Sequence, residues 1–205
     1  MEAARVLARL VGVRTAVILI AAAFLAVPST GLAYGGKVQF VGGTPREQRQ
    51  VTAALQVSTF DWDVLPAVVN VHIVPGANSH ALPGDVYLDA DLLDAGTFAW
   101  GVVQHEFAHE FDFFFLRASD HTTLLPQLGG VAWFANGAVG EAPDGGLAHQ
   151  QLGAERFAST FAWSFWQSSS NTMKPRSKND ESAAMAPAAF RALIASIVAR
   201  SASPA

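Results

Sequence analysis

The chain has 205 residues, of which 51% are hydrophobic, and 17 acidic against 13 basic side chains give it a formal net charge of −4. This length suits a single domain with a hydrophobic core, and the acidic balance leaves no basic patch for a nucleic-acid partner. The chain contains no cysteine, which excludes disulfides and thiolate metal sites, so any metal ion must be held by His, Asp or Glu.

The first 33 residues have the pattern of a secretory signal peptide. Three arginines precede the apolar run TAVILIAAAFLAV, and Gly31 and Ala33 then occupy the small-residue positions that signal peptidase requires. We therefore predict cleavage after Ala33 and a secreted or extracytoplasmic domain, 34–205. The alternative is an uncleaved N-terminal membrane anchor, although the apolar run is shorter than the ~20 residues of a comfortable membrane span.

The remaining chain predicts an α+β domain. Runs rich in β-branched residues, bounded by glycine or proline, predict three strands: 37–43, 67–74 and 84–90. Thr44 and Glu47 form a capping box that begins a helix ending near Val57. Three further helices are predicted at 97–116, 148–167 and 186–200. This order indicates a small mixed or antiparallel sheet packed against helices.

The helix predicted at 97–116 is apolar on nearly all sides, which is typical of a buried helix, yet it contains QHEFAHEFD. His105 and His109 are one helical turn apart, so both imidazoles can reach one metal ion at ~2.1 Å. Glu106 lies ~100° around the helix and can reach a metal-activated water without being a ligand. The spacing therefore predicts a zinc site with Glu106 as the general base of hydrolysis.

The alternative is a polar cluster that is only hydrogen-bonded. The zinc interpretation is favoured because burying two histidines and a glutamate without partners costs several kcal/mol. Asp112 is predicted either to orient His109 or to be a surface or capping carboxylate. Glu110 is expected to be solvated or structural.

A catalytic zinc ion needs three protein ligands and an open position. Phe115 stands where one extended zinc-peptidase pattern has a third histidine, so another ligand must come from downstream. The candidates are Asp120, His121, Glu141, Asp144, His149 and Glu155. We favour Glu155, because small residues share its helical face and allow a close approach to another helix. The alternative is a helix-start glutamate favoured by the helix dipole.

With these residues the chain resembles the gluzincin class of zinc metallopeptidases, in particular its compact, lethal-factor-like members. The resemblance covers roughly residues 68–166 and rests on HEFAH and ERFASTFA. It implies a zincin-like fold, a zinc ion held by His105, His109 and Glu155, and hydrolysis of peptide bonds. It also implies that the strand at 86–89 lines the cleft and pairs with extended substrate. Two departures are the long gap between His109 and Glu155, and Ser159 where the family has an acidic residue.

Transition-state stabilisation needs a hydrogen-bond donor near the developing oxyanion. His149 is the first candidate, because it lies shortly before Glu155, and Tyr87 on the predicted cleft strand is the second. Among the remaining histidines, His72 is predicted to lie in the core, and His80 and His121 are predicted to be solvated.

The sequence therefore predicts a secreted or envelope-associated zinc peptidase that acts on a peptide or protein substrate. The main alternative is a non-catalytic zinc-binding or interaction domain with a zincin-like fold. Hydrolysis of another acyl bond is also open, because the same activation of water serves other acyl compounds. Contact with a membrane is expected only through an uncleaved N-terminal segment.

Overall fold

The computed structural model describes residues 30–32, 37–134 and 147–202. Within them a five-stranded mixed sheet has the order β1-β2-β3-β5-β4. Its strands are β1 Thr30–Leu32, β2 Lys37–Gly42, β3 Val69–Val74, β4 His80–Leu82 and β5 Asp85–Asp89. Strands β2, β3 and β5 are parallel, whereas β1 and β4 run antiparallel to their neighbours at the two edges.

Six helices are described. They are α1 Pro45–Gln56, α2 Ala90–Asp94, α3 Thr97–Phe115, α4 Ala118–Leu128, α5 Gly153–Phe165 and α6 Pro187–Ala202. Short 3₁₀ turns add Trp62–Val64, His149–Gln151 and Glu181–Ala183. The predicted α+β class, with a small mixed sheet packed on helices, is confirmed at this level.

The predicted strands and long helices all form, but the sequence did not indicate β1, β4, α2 or α4. Strand β4 has only three residues and follows soon after Pro75, so it is too short to show an alternating pattern. Helix α4 carries Pro126 near its end, which weakens a helical pattern. Helix α5 begins at Gly153 rather than near 148, because His149–Gln151 forms a separate 3₁₀ turn.

Most of the predicted signal peptide, including the cleavage position at Ala33, lies outside the described residues. Its cleavage therefore stays a prediction. Strand β1 falls within that segment and pairs with the start of β2. Among the residues that the structure describes, no helix has the length and hydropathy needed to cross a membrane.

The core holds α3 against both the sheet and α5. Sheet residues Val71 and Val86 are fully buried on the face towards the helices. Aromatic rings of α3 and α5 then pack on one another, with 5.5 Å between the ring centroids of Phe111 and Phe161. Trp62 is buried in the same cluster. Burial of these large side chains fixes how close α3 and α5 lie, and both helices carry residues of the predicted metal site.

Glu110 is structural rather than solvated, because its side chain is fully buried. Its Oε2 accepts a hydrogen bond from the Gly84 backbone N–H at 2.9 Å, in the turn between β4 and β5. Burial raises the pKa of Glu110 to about 7, opposed by that hydrogen bond. Glu110 thus fixes the turn between β4 and β5 to α3.

Candidate metal centre

Helices α3 and α5 bring together the three residues that the sequence favoured as ligands, His105, His109 and Glu155. The Nε2 atom of His105 lies 3.0 Å from Glu155 Oε2 and 3.2 Å from His109 Nε2. The distance from His109 Nε2 to Glu155 Oε2 is 3.4 Å. Both histidines are buried, and Glu155 is nearly so. In the described part of the chain, these three side chains form the one group of His and carboxylate residues that can hold a metal ion.

The spacing of the three atoms suits a small metal ion with tetrahedral coordination. Donor atoms around a tetrahedral zinc ion, each at ~2.0–2.1 Å, lie about 3.3 to 3.4 Å from one another. The distances of 3.0, 3.2 and 3.4 Å are close to these values. Two imidazoles and one carboxylate are also a ligand set found in catalytic zinc sites. The residues present therefore fit a bound metal ion of this type.

Glu155 reaches the histidines because α5 approaches α3 closely at its first turn. Ala158 and Ala162 are fully buried, and Ser159 is nearly so, on the side of α5 that was predicted to be small. The bulky rings of Phe157 and Phe161 pack into the aromatic core instead. A larger residue in place of Ala158 would push the two helices apart and draw the carboxylate away.

The charges of the cluster are strongly coupled. Burial, which raises the pKa of Glu155, is outweighed by His109 and by hydrogen bonds from His105, His109 and His149, so that its pKa falls well below the usual range. Burial likewise lowers the pKa of His109, but the carboxylate of Glu155 outweighs it and raises the pKa to about 9. Without a metal ion, a proton on His109 therefore supplies part of the positive charge that a metal ion would bring to the cluster.

This coupling predicts how zinc affinity depends on pH. Zinc needs the lone pair of His109, so a proton must leave wherever the pH is below about 9. The apparent zinc affinity should rise roughly tenfold per pH unit for this proton and level off only near pH 9. A histidine with its ordinary pKa would level off near pH 7. Competition with a chelator of known affinity between pH 6 and 9.5 measures this curve, and a zinc affinity that is already constant between pH 7 and 9 would contradict it.

Glu106 lies beside the cluster, in a cleft of about 370 Å³. The walls of this cleft come from α3, from the segment before β4, and from the turns on either side of α5. The Glu106 side chain is buried, which raises the pKa of its carboxyl, while His105 and His109 oppose the shift. Within the described residues no hydrogen bond holds this carboxylate. It is therefore available to exchange a proton with a molecule in the cleft.

His149 lies at the mouth of the same cleft, in the 3₁₀ turn before α5. Its Nε2 atom is 2.9 Å from Glu155 Oε2, and its Nδ1 atom is 2.8 Å from Glu181 Oε1. Its hydrogen bonds to Glu155 and Glu181 raise the pKa of His149 to about 10. Both nitrogens of this imidazole are thus engaged, and Nε2 can donate a hydrogen bond to a bound molecule only when its contact with Glu155 is released.

Tyr87 is not brought to the cleft. It lies on the sheet face opposite the helices, between His72 and His80, with ring centroids 4.4 and 4.6 Å away. His72 is partly exposed rather than a core residue, and its Nε2 atom lies 2.7 Å from Asp85 Oδ1. The alternation of β5 explains this placement, since Val86 and Leu88 occupy the core face.

The strand expected to pair with substrate is interior to the sheet. Strand β5 pairs with β3 on one side, and on the other with β4 through residues 85–87. Residues 86 and 87 already pair with β4, so the predicted pairing of 86–89 with substrate does not hold at these two residues. In the described part of the chain, β4 is the edge strand on this side, and Asn78 and Ser79 just before it line the cleft.

The remaining ligand candidates lie elsewhere. Asp120 caps α4 and pairs with Arg200 at 2.8 Å. His121 is not simply solvated, because it stacks on Trp133 and binds Asp112 Oδ1 at 2.6 Å. Asp112 also accepts a hydrogen bond from the Trp133 indole, so its carboxylate holds α4 and the following turn rather than His109. Glu141 and Asp144 lie outside the described residues.

Glu181 and Met173 are among the cleft residues that the sequence analysis missed. Both belong to the segment between α5 and α6 that was predicted to be a polar loop. Glu181 Oε2 accepts a hydrogen bond from Ser159 Oγ at 2.9 Å, in addition to its contact with His149. No local pattern distinguishes this glutamate, because its partners are more than 20 residues away in the chain.

Comparison of the chain with known protein families, with curated proteins and with solved structures found no match. The interpretation of the cluster therefore depends on its own residues and their arrangement.

Proposed function

We propose that this protein is a zinc-dependent peptidase of the gluzincin type, secreted or associated with the cell envelope. The observation that carries the proposal is that His105, His109 and Glu155 converge beside the buried side chain of Glu106. In the described part of the chain, the Glu106 carboxylate has no hydrogen-bond partner. A structural metal site does not need such a carboxylate, whereas hydrolysis requires a base next to the metal.

A zinc ion held by these three residues would supply Lewis acidity to polarise a scissile carbonyl and lower the pKa of water. Glu106 receives a proton from water in the cleft and passes it to the leaving amine. Its raised pKa makes it a stronger base than an exposed glutamate. With Glu155 bound to a metal ion, the Nε2–H of His149 that contacts Glu155 would be free to donate to the oxygen that becomes negatively charged. The edge strand β4 offers backbone groups to an extended peptide.

The test is peptide hydrolysis by the purified full chain. Mixed quenched fluorescent peptides should be cleaved by the zinc-loaded protein, and removal of zinc with a chelator should abolish cleavage. Return of one equivalent of zinc should restore it, and the His109→Ala variant should stay inactive throughout. Cleavage that survives both the chelator and His109→Ala would overturn the proposal.

The second candidate is a metal-binding domain without catalysis. It is favoured by the 2.9 Å contact between His149 and Glu155, because a fourth protein ligand would close the site. In that case the zinc-loaded protein would cleave no peptide, and His149→Ala would weaken zinc binding. In the peptidase, the same variant would lower hydrolysis and leave zinc affinity nearly unchanged.

A further inference from the structure

A chain of hydrogen bonds leads from His105 to a carboxylate on a separate part of the fold. The Nδ1 atom of His105 lies 3.1 Å from Ser159 Oγ, and this hydroxyl donates to Glu181 Oε2 at 2.9 Å. Ser159 and His105 are buried, and only about a fifth of the Glu181 side chain is exposed. The hydroxyl thus stands between a histidine and a carboxylate that has little contact with water.

The direction of these hydrogen bonds decides which nitrogen of His105 is free to bind a metal ion. Nε2 faces Glu155 and His109, so metal binding requires the proton of the imidazole to be on Nδ1. Ser159 Oγ can accept a hydrogen bond from this Nδ1–H only if the hydrogen of its own hydroxyl points elsewhere. A carboxylate accepts hydrogen bonds and donates none, so Glu181 directs the hydroxyl hydrogen away from His105.

Glu181 is also held firmly in this place. The hydroxyl of Thr160, the next residue of α5, donates to the Glu181 backbone carbonyl at 3.1 Å. The other carboxylate oxygen of Glu181 contacts His149 Nδ1. Met173 Sδ lies 3.8 Å from Ser159 Oγ, but a thioether is a much weaker acceptor than a carboxylate. The hydroxyl hydrogen therefore has one strong acceptor, Glu181.

We propose that Glu181 is a positioning residue of the metal centre, which acts through Ser159 to fix the ring orientation and the protonated nitrogen of His105. The inference rests on the metal site of the proposed function and not on the hydrolysis of peptides. Supporting groups of this kind typically change metal affinity by about 10- to 100-fold.

The experiment measures the zinc affinity of the full-length protein by chelator competition at pH 7.5. Ser159→Ala and Glu181→Ala are each expected to lose roughly 10- to 100-fold in affinity. In the second variant, the hydroxyl hydrogen of Ser159 loses its one strong acceptor. Because both residues act on one path to His105, the double variant should lose no more than the weaker-binding single variant.

Two variants serve as matched controls. Ser164 lies on the same helix, is equally buried, and its hydroxyl has no hydrogen-bond partner within the described residues, so Ser164→Ala should keep the parent affinity. Glu47 is another buried, hydrogen-bonded glutamate, but its side chain accepts from the Thr44 backbone N–H, so Glu47→Ala should also bind zinc normally. Urea unfolding of the zinc-free variants separates a change in stability from a change in affinity.

The outcomes distinguish the two proposals. Unchanged zinc affinity in Ser159→Ala or Glu181→Ala would overturn the role of Glu181, and so would losses that multiply in the double variant. Coupled losses in a protein that cleaves no peptide would support the role of Glu181 and refute the peptidase. A parent protein that binds no zinc would overturn both.

Discussion

Replacing Glu155 with alanine is expected to lower the zinc affinity by at least ~100-fold, more than the loss of a supporting residue. Glu155 supplies the one negative charge among the three ligands, and its Oε2 lies close to the Nε2 atoms of both histidines. Two histidines on one helix leave half of a tetrahedral site without protein ligands. Elemental analysis of the dialysed protein and chelator competition both measure the loss.

The control for this variant is Asp120→Asn. Asp120 was another candidate ligand in the sequence, but its carboxylate pairs with Arg200 and caps α4, so zinc should be retained. Alanine is a good helix former, so the Glu155→Ala protein should still fold. Full retention of zinc by Glu155→Ala would show that the third ligand is a different residue. His149 and the two carboxylates outside the described residues, Glu141 and Asp144, would then be the candidates.

The histidine pair could be predicted from the sequence because its geometry is local. A spacing of four residues on a helix places His105 and His109 on one face whatever the rest of the chain does. Glu155 required a tertiary assumption, that α5 packs on α3, and the small residues on one face of α5 supported it. In both cases the residues that supported the prediction lie within one helix.

Glu181 and Tyr87 show where this local information ends. Glu181 meets Ser159 and His149 because the segment between α5 and α6 folds back on α5, and no periodic pattern records such a path. Tyr87 was expected in the cleft because β5 precedes α3, but pleating turned its ring to the opposite face. Which face of a strand meets the site depends on the packing of the whole sheet.

The order of the strands was equally beyond local reasoning. The resemblance implied that the strand before α3, which is β5, pairs with substrate, and nothing in the sequence indicated β4, which has three residues. The structure inserts β4 at the edge. The predicted role in substrate pairing therefore moves from a well-marked strand to a very short one.

Glu106→Gln is expected to keep the zinc ion and to lose nearly all peptide hydrolysis. Glutamine has the shape of glutamate, but its amide cannot accept a proton, so no base remains beside His105 and His109. General acid–base catalysis contributes typically 100- to 10,000-fold, and a loss of roughly this size in kcat/KM is expected. The measurement combines zinc content with kcat/KM for a peptide that the parent cleaves.

Glu110→Gln is the matched control, because Glu110 is a second buried glutamate one helical turn further along α3. Its carboxylate binds the Gly84 N–H, away from the cleft, and a glutamine carbonyl can accept the same hydrogen bond. This variant should keep both zinc and activity. Loss of zinc in Glu106→Gln would make Glu106 a ligand, and retained hydrolysis would assign the base to another group. Loss of hydrolysis with zinc retained, in Glu106→Gln and not in Glu110→Gln, would place the chemistry on the side of α3 that faces Glu155.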